Sequence, residues 1–299
     1  MNYNDYKITE DMAITLGNFD SFHRGHMQLI DFTKQYAKKE GLCSAIFTTE
    51  PSTAEFFGKA TKKILKEKKE FAKNFCDMLI EYKLNFKFLN MEPEKFLEML
   101  RDTFNAKAII VGENYKFGKY AKGTPDLIKK FAEENNIYFK QIELLKEDGE
   151  IISSTAIREA ILSGNIKKAN KYLGYPFFIK GEVIPTAGRG ASIGFATANI
   201  DLEEDLIYPD FGVYLTKTTL PSGESLKSIT NVGAKPTFGI ENAQIETHIL
   251  NFDKELYLKE IKVEFYDKIR DIVKFENVEA LKKQLKADVE KAESMELEI

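Results

Sequence analysis

The sequence predicts two domains: an α/β domain built on a parallel sheet, followed by an all-β domain, a small antiparallel barrel with a terminal helix. The length of 299 residues suits two domains of about 100–200 residues each. Up to Gly174-Tyr175-Pro176, strand-like and helix-like segments alternate, which is typical of a parallel sheet covered by helices. Beyond that point the apolar runs are short, β-rich and broken by Gly and Pro. We therefore expect one domain over 1–176 and a second over 177–299.

Short apolar runs that end at Gly or at a polar turn predict the strands of the first domain. These runs are Ala13–Leu16, Leu42–Phe47, Ala108–Val111 and Ile137–Leu144. Helical patterns begin at His23, after Thr124-Pro125 and after Ser153; the first is expected to end at Gly41 and the last near Gly164. Because ligands of such sheets bind at the carboxyl ends of the strands, the residues that follow each strand are the first candidates for a site.

Runs rich in Val, Ile, Thr, Tyr and Phe predict the antiparallel strands of the second domain. They are Phe177–Ile184, Phe211–Thr218, Ile245–Phe252 and Ile261–Tyr266. The tail from Asn277 to Glu293 is predicted to be a helix packed on the barrel, because its apolar residues recur at three- and four-residue steps. That stripe consists of Val278, Leu281, Leu285, Val289 and Ala292.

Composition excludes several classes of protein. Apolar residues make up 43% of the chain and the net charge is −4, which argues against disorder, a broadly basic nucleic-acid-binding surface and a polybasic membrane surface. No apolar run is long enough to span a membrane and the N-terminus is polar, so a cytoplasmic location is expected. Cys43 and Cys76 are too few for a disulfide framework and are expected to pack as thiols. The lysine-rich run Lys59–Lys69 is expected to be a solvated helix face or a mobile loop.

A segment with two histidines, Gly17–His26, connects the first predicted strand to the first predicted helix. Its glycines suit a backbone that approaches a ligand, and helix N-terminal amides attract phosphate. His23 and His26 are three residues apart, so they share a helix face and can stabilise charge on a phosphate in the transition state. The expected phosphate-binding positions of this segment are Gly17, Phe19, Asp20 and Gly25. A pair of surface histidines at a helix start is the alternative.

A second segment, Ile152–Arg158, places three hydroxyls at a helix start and an arginine one turn later. Such a group can hold a pyrophosphate from several sides, although the hydroxyls alone are equally typical of a helix N-cap. The phosphate-binding candidates here are Ser153, Ser154, Thr155 and Arg158.

Together, the His-Arg-Gly-His and Ser-Ser-Thr-x-x-Arg motifs resemble the HxGH class of nucleotidyltransferases. The fuller pattern is similar to the bacterial bifunctional riboflavin kinase/FMN adenylyltransferases, the prokaryotic FAD synthetases, from about Met12 to Ala292. The resemblance includes residues 111–118 and the junction at 170–176. It implies a Rossmann-like nucleotidyltransferase domain that converts FMN and ATP to FAD and pyrophosphate. It also implies a riboflavin kinase barrel that makes FMN from riboflavin and MgATP.

Residues 188–199 resemble the riboflavin kinase signature, and 231–238 and 245–248 match further family segments. The resemblance implies ATP-phosphate contacts at Gly188, Arg189, Gly190 and Gly194. Thr197 and Asn199 would bind Mg²⁺, which prefers oxygen ligands. Glu246 would be the base that activates the ribityl hydroxyl of riboflavin. The implied flavin contacts are Asn114, Arg270 and Phe275, although Arg270 is equally compatible with a surface ion pair.

Departures from the family pattern are concentrated in the first domain. Thr49-Glu50-Pro51-Ser52-Thr53 stands where Phe-Asp/Glu-Pro-His-Pro is usual, Ser21 replaces Gly, Phe22 replaces a smaller residue and Asn114 replaces Asp. Ala196 replaces a Pro in the second domain without removing a ligand atom. The changes in the first domain are expected to affect its flavin and adenine contacts more than its phosphate chemistry.

Three alternatives to the bifunctional enzyme stay open. The first is a riboflavin kinase with a weakened or inactive adenylyltransferase domain, and the second is a non-catalytic regulator that binds flavin or nucleotide. The third, an adenylyltransferase for another small phosphate such as phosphopantetheine, or a cytidylyltransferase, fits the histidine motif but leaves the β-rich half unexplained. The expected partners are riboflavin, FMN and ATP, with no nucleic acid and no membrane; self-association stays open.

Overall fold

The chain forms two compact units in a computed structural model. The model describes residues 9–58, 62–66, 68–185, 190, 193–201, 203, 205–234 and 243–299. Residues 1–61 and 67–153 belong to the first unit, and residues 62–66 and 154–299 belong to the second. The helices between 154 and 173 are thus grouped with the barrel, and the domain boundary expected at 176 stays a prediction.

The first unit is built on a five-stranded parallel sheet, which confirms the predicted α/β fold. The strands are β1 (Met12–Leu16), β2 (Cys43–Glu50), β3 (Met78–Lys83), β4 (Ala106–Gly112) and β5 (Tyr138–Ile142). Their spatial order is β3-β2-β1-β4-β5, so β1 lies at the centre and every one of its residues is buried. The chain order reverses on the two sides of β1, and ligands of open α/β sheets bind at such a switch point.

Two of the six helices that the structure describes in the first unit begin where the sequence signals place them. They are α1 (Arg24–Glu40), α2 (Thr53–Phe56), α3 (Lys68–Ala72), α4 (Phe86–Leu89), α5 (Pro93–Asp102) and α6 (Pro125–Glu134). Gly41 ends α1 in the left-handed conformation at φ 69°, and the Thr124 hydroxyl caps α6 by accepting from the Leu127 N–H at 3.4 Å. A 3-10 turn (Lys119–Ala121) and a two-stranded ribbon of β6 (Lys146–Glu147) and β7 (Glu150–Ile151) complete the unit.

The second unit contains a closed barrel whose strands run in the order β10-β11-β12-β9-β8-β13, as the β-rich runs predict. They are β8 (Phe178–Ile184), β9 (Ala198–Ile200), β10 (Gly212–Thr219), β11 (Ser225–Ala234), β12 (Ala243–Ile249) and β13 (Glu260–Arg270). Two helices, α7 (Ser154–Leu162) and α8 (Ile166–Leu173), precede the barrel. Buried Asn170 ties α8 to the barrel, because its amide donates to the Phe265 carbonyl and accepts from the Phe177 N–H, each at 2.8 Å.

Hydroxyl groups fill part of the barrel interior. Thr216 contacts both Ser228 and Thr230 at 2.8 Å, and Thr230 contacts Thr247 at 2.9 Å. All of these side chains are fully buried, so each hydroxyl satisfies the next. The sequence analysis did not single out strand β11, because its inward positions include the polar Ser228 and Thr230 in place of apolar residues.

The terminal helix α9 (Val278–Ser294) packs on the barrel, as expected. Asn277 caps its start, accepting from the Ala280 N–H at 2.9 Å. At its end the Lys227 ammonium donates to the carbonyls of Ala292, Glu293 and Met295 at 2.7–3.1 Å, where a cation also complements the helix dipole.

Part of the lysine-rich run departs from the expectation of a solvated face or mobile loop. Lys63 and Lys66 form ion pairs with Asp205 and Glu203, and Lys68 donates to the Thr48 hydroxyl at 2.8 Å. Tertiary partners therefore organise these lysines, while Lys59 lies outside the described residues.

Both cysteines are free thiols and half-buried, as expected for packed residues. Among the residues that the structure describes, no helix combines the length and the apolar character needed to cross a membrane.

Candidate active site in each unit

The histidine segment leaves the carboxyl end of β1 and begins α1. His23 is the N-cap of α1, and its Nδ1 accepts a hydrogen bond from the His26 N–H at 3.1 Å. Because Nδ1 is an acceptor, the proton of the neutral His23 ring resides on Nε2, which can donate to a ligand. The two imidazole rings stack with centroids 3.6 Å apart and an interplanar angle of 12°.

Burial keeps both imidazoles neutral. It lowers the pKa of His23 to about 4, although the Asp20 carboxylate opposes the shift. Burial and the neighbouring His23 hold the pKa of His26 well below its ordinary value. His26 Nδ1 is buried and has no hydrogen-bond partner within the described part of the chain. Since buried polar atoms are normally paired, this nitrogen is suited to a ligand.

The glycines of the segment are required by close packing. A Cβ on Gly17 would lie 3.0 Å from the Phe19 ring, and a Cβ on Gly25 would lie 3.2 Å from His23 Cε1. Phe19 and Phe22 both adopt positive φ, at 45° and 46°, and both are fully buried. The segment is thus held in a conformation that side chains rarely adopt, a feature that clusters at functional sites.

The hydroxyl-arginine segment spans the division between the units. The Ile152 carbonyl lies 3.7 Å from the Cβ position of Gly25, so the start of the segment, with Ser153 next in the chain, is beside the histidine turn within the first unit. Ser154 begins α7, which confirms the predicted helix start, and belongs with Thr155 to the second unit. There, Arg158 Nε donates to the Lys62 carbonyl at 3.1 Å.

The altered loop after β2 folds into the short helix α2. Ser52, which stands at the family's His position, is its N-cap and forms a capping box with Glu55. Phe57 and Phe86 are 61% and 71% exposed. Phe56 contacts both Phe57 and Phe86, with ring centroids 5.6 and 5.1 Å away. Asn114, an expected flavin contact, lies exposed on the turn after β4.

In the second unit, a cavity of about 830 Å³ lies between the barrel wall and α9. It brings together predicted site residues that are far apart in the chain. These are Gly190, Thr197, Asn199, Glu246, Arg270 and Phe275. Its apolar lining includes Val213 and Ile229 of the barrel. Four residues of the predicted α9 stripe also line it, namely Val278, Leu281, Leu285 and Val289. Gly188 and Arg189 lie outside the described residues.

The polar end of the cavity is a row across three neighbouring strands. Glu246 on β12 is paired in register with Asn199 on β9 and with Asn231 on β11. Gln244 Nε2 donates to Asn199 Oδ1 at 2.7 Å and to Glu246 Oε1 at 3.0 Å. Asn199 Nδ2 in turn donates to the Thr197 hydroxyl at 3.4 Å. One hydrogen-bond network therefore contains the expected base and both expected metal ligands.

Burial raises the pKa of Glu246, and a hydrogen bond from the Asn231 side chain opposes that shift. A carboxylate with a raised pKa is better matched to accepting a proton near neutral pH than an exposed glutamate is. Thr197 and Asn199 offer a hydroxyl and an amide oxygen at the same end of the cavity. This set fits Mg²⁺, which prefers oxygen and is commonly held by few protein atoms together with substrate phosphates.

The loop before β9 depends on two glycines at predicted phosphate positions. A Cβ on Gly190 would lie 2.3 Å from the Phe195 carbonyl oxygen, and Gly194 has a φ of 88°. Neither position accepts a side chain without strain. The His248 ring fastens this loop to β12, since its Nδ1 lies 2.8 Å from the Ala196 carbonyl oxygen.

Arg270, which also lines the cavity, binds a residue of α9. Its guanidinium donates three hydrogen bonds to the Asp288 carboxylate, at 2.7–3.0 Å, and Gln284 donates a fourth at 2.8 Å. The guanidinium carbon also lies 5.8 Å from the centre of the Phe275 ring. Arg270 thus forms the ion pair that the sequence left open while also lining the cavity.

Comparison with known proteins assigns both units. Residues 5–156 match a family model described as FAD synthetase, and residues 173–296 match one described as riboflavin kinase. A bifunctional riboflavin kinase/FMN adenylyltransferase of Bacillus subtilis is 33% identical over 301 residues, covering 95% of this chain and 93% of the relative. The chain belongs to the bifunctional riboflavin kinase/FMN adenylyltransferase family.

A second relative agrees with this family membership, and a solved structure is similar in fold over nearly the whole chain. The Escherichia coli K12 member is 30% identical over 285 residues, covering 93% of this chain and 91% of its own. A solved structure described as a macrolide-efflux protein from Streptococcus pneumoniae has a TM-score of 0.88 and 29% identity, covering 99% of this chain and 98% of its own. The fold class, the two domain types and the enzyme class expected from the sequence are thereby confirmed.

Sequence reasoning did not single out some residues of the family's two candidate sites. Asn231 and Gln244 line the kinase cavity beside Glu246, and Lys68 lies at the carboxyl end of β2. Gln244 could have been found, because residues two apart on a strand share a face. Asn231 and Lys68 depend on strand pairing and on helix docking, which no local pattern reveals.

Proposed function

We propose that the second unit transfers the γ-phosphoryl group of MgATP to riboflavin and that the first unit transfers AMP from a second ATP to the resulting FMN. The observation that carries the proposal is the kinase cavity, which joins an apolar wall suited to a flavin ring to the network of Thr197, Asn199 and Glu246. An ionisable carboxylate, oxygen donors for a cation and a glycine loop at one end suit phosphoryl transfer to a hydroxyl.

In the kinase site, Glu246 accepts the proton of the terminal ribityl hydroxyl as that oxygen attacks the γ-phosphorus and ADP leaves. Gln244 and Asn231 orient the carboxylate through the hydrogen bonds described above. Thr197 and Asn199 would hold Mg²⁺, which when bound neutralises phosphate charge. Because the glycine loop presents backbone close to this network, it is suited to the ATP phosphates.

In the adenylyltransferase site, an oxygen of the FMN phosphate attacks the α-phosphorus of ATP. The bond to the bridging oxygen breaks and pyrophosphate leaves, so no protein nucleophile is needed. His23 and His26 act as neutral hydrogen-bond donors to the α-phosphate, consistent with their lowered pKa values. Ser153, Ser154, Thr155 and Arg158 bind the departing phosphates in this proposal.

The exposed aromatic residues beside β2 offer a platform for the flavin ring of FMN. Phe57 and Phe86 present large apolar surfaces, and Phe56 packs between them. Aromatic rings stack favourably on extended π systems, so these side chains can replace the aromatic residue that the altered loop lacks. This observation favours a working adenylyltransferase over a kinase with an inactive first domain. A cytoplasmic location, where ATP is available, is part of the proposal.

Product analysis tests both activities. Purified protein incubated with riboflavin, ATP and Mg²⁺ should form FMN and then FAD, and protein incubated with FMN, ATP and Mg²⁺ should form FAD and pyrophosphate. FMN without FAD in both reactions would support the kinase alternative with an inactive first unit. No turnover, combined with tight flavin binding, would support the non-catalytic regulator.

A further inference from the structure

Helix α3 is docked on the histidine segment by aromatic packing. The fully buried Phe22 ring lies 5.4 Å from the Phe71 ring and 6.1 Å from the Phe75 ring, measured between centroids. Phe71 and Phe75 are themselves 5.4 Å apart. The resemblance marks Phe22 as a departure from the family pattern, and these ring contacts give its side chain a structural role. Three aromatic rings hold the start of α1 and the end of α3 together.

The docked helix brings Lys68 to the carboxyl end of β2. The Lys68 ammonium donates to the Thr48 hydroxyl at 2.8 Å. That hydroxyl donates to the Asn18 carbonyl at 2.9 Å, within the loop that carries the histidines. Thr48 is buried, so its single hydroxyl ties Lys68 to the backbone of the loop. Lys68 is thereby positioned by the same segment that positions His23 and His26.

The histidine segment itself supplies little free positive charge. The histidines are neutral, and the Arg24 guanidinium is engaged by Glu147 at 2.6 Å. Burial lowers the pKa of Lys68, while the carboxylates of Glu50, Asp20, Glu81 and Glu55 oppose that shift. The positive charge of Lys68 also contributes to the lowered pKa of His26, which places the ammonium within electrostatic reach of that ring.

We propose that Lys68 binds a phosphate oxygen of the reacting groups in the adenylyltransferase site, supplying the positive charge that two neutral histidines do not. This inference rests on the proposed function of the first unit. Its geometric basis is the chain of contacts from Lys68 through Thr48 to Asn18, together with the packing of Phe22 against α3. An ammonium gives charge-assisted hydrogen bonds to phosphate, which are stronger than those from neutral donors.

The test compares two charge-removing substitutions on one helix. Lys68→Met should lower kcat/KM for FAD formation from FMN and ATP by at least about tenfold, because a charged phosphate contact is lost. Lys69→Met is the matched control, since Lys69 is 72% exposed and its Nζ is 4.0 Å from Glu81. Lys68→Arg keeps the charge and should restore part of the activity. FMN formation from riboflavin, measured on the same preparations, should be unchanged and reports that the protein is folded.

The outcomes separate this inference from the function on which it rests. Equal FAD formation by Lys68→Met and Lys69→Met would overturn the role of Lys68. If the unsubstituted protein formed no FAD, the adenylyltransferase proposal would fail, and calorimetric titration with pyrophosphate would then decide the phosphate contact. Weaker pyrophosphate binding by Lys68→Met than by Lys69→Met would support it, and equal binding would refute it.

Discussion

Replacing Glu246 with Gln tests the centre of the kinase proposal with little change in shape. The side chain of Glu246 accepts from Gln244 at 3.0 Å and is hydrogen-bonded by Asn231, and a glutamine can retain an oxygen acceptor in the same place. The substitution therefore removes the ability to take a proton while preserving most of the surrounding contacts.

The expected loss follows from the role of a general base. Such a group contributes about 10²–10⁴-fold to the rate, or about 3–5 kcal/mol of the activation barrier. Since Glu246 must be ionised to accept a proton, activity of the unsubstituted enzyme should fall as the pH drops through the pKa of its carboxyl group. Burial raises that pKa above the ordinary value of 4.5, so the acid limb should begin at higher pH than for an exposed glutamate.

Steady-state formation of FMN from riboflavin and MgATP, measured across pH, checks both expectations. Glu246→Gln should lower kcat by the stated factor and abolish the acid limb, with FAD formation from FMN unchanged as the internal control. Unchanged kcat in Glu246→Gln would show that the carboxylate does not act as the base. A large rise in KM with kcat preserved would instead assign Glu246 to substrate binding and refute the mechanism.

Three further predictions concern both units. Gly25→Ala should lower the rate of FAD formation by at least about tenfold, because the new Cβ displaces His23. That Cβ would lie 3.2 Å from His23 Cε1. FMN formation should persist, and an unchanged rate of FAD formation would contradict the packing argument. Asp288→Asn should destabilise the second unit by about 2–3 kcal/mol in urea unfolding. It leaves Arg270, whose side chain is 19% exposed, without its carboxylate partner Asp288. Asp271→Asn is the control, because the Asp271 side chain is 85% exposed, and it should change the free energy of unfolding little. Equal destabilisation by the two substitutions would argue against a stabilising role of the Arg270–Asp288 ion pair. Folding lowers the pKa of His23 from 6.5 to about 4. Between these pH values the unfolded chain therefore binds more protons than the folded chain does. The free energy of unfolding should fall by up to about 3 kcal/mol as the pH drops from above 6.5 towards 4. Unfolding of His23→Gln should show a flatter pH dependence, and an identical slope would exclude His23 as the cause.

Local signals in the sequence predicted those helices whose ends are marked by capping residues. Gly41 and Thr124 mark the ends of helices through cap geometry, which depends on neighbouring residues alone. Strand β3 was missed because it lies at the sheet edge and only Ile80 among its six residues is buried, so it has no long apolar run. Helix α2 was missed although Ser52 and Glu55 form a local capping box that signals its start. Helix α3 has only five residues and is held by tertiary packing, which overrides weak local propensity.

The two candidate sites divide in the same way. The order of motifs made His23 and His26 candidates, and the family resemblance added Thr197, Asn199 and Glu246. Asn231 was recognisable only once β11 was paired with β12, since the register places it opposite Glu246. Lys68 belongs to the lysine-rich run Lys59–Lys69, whose composition predicted a solvated helix face or a mobile loop.

By itself, the sequence determined that this chain has an α/β half and a β-rich half, and it pointed to short motifs as candidate sites. These properties depend on periodicity and on residues close in the chain. The tertiary structure decided that Arg270 forms an ion pair with Asp288 on α9 as well as lining the cavity of the second unit. It also decided that Phe22 docks α3 and brings Lys68 to the histidine loop. Such arrangements depend on contacts between distant segments, and only folding brings those segments together.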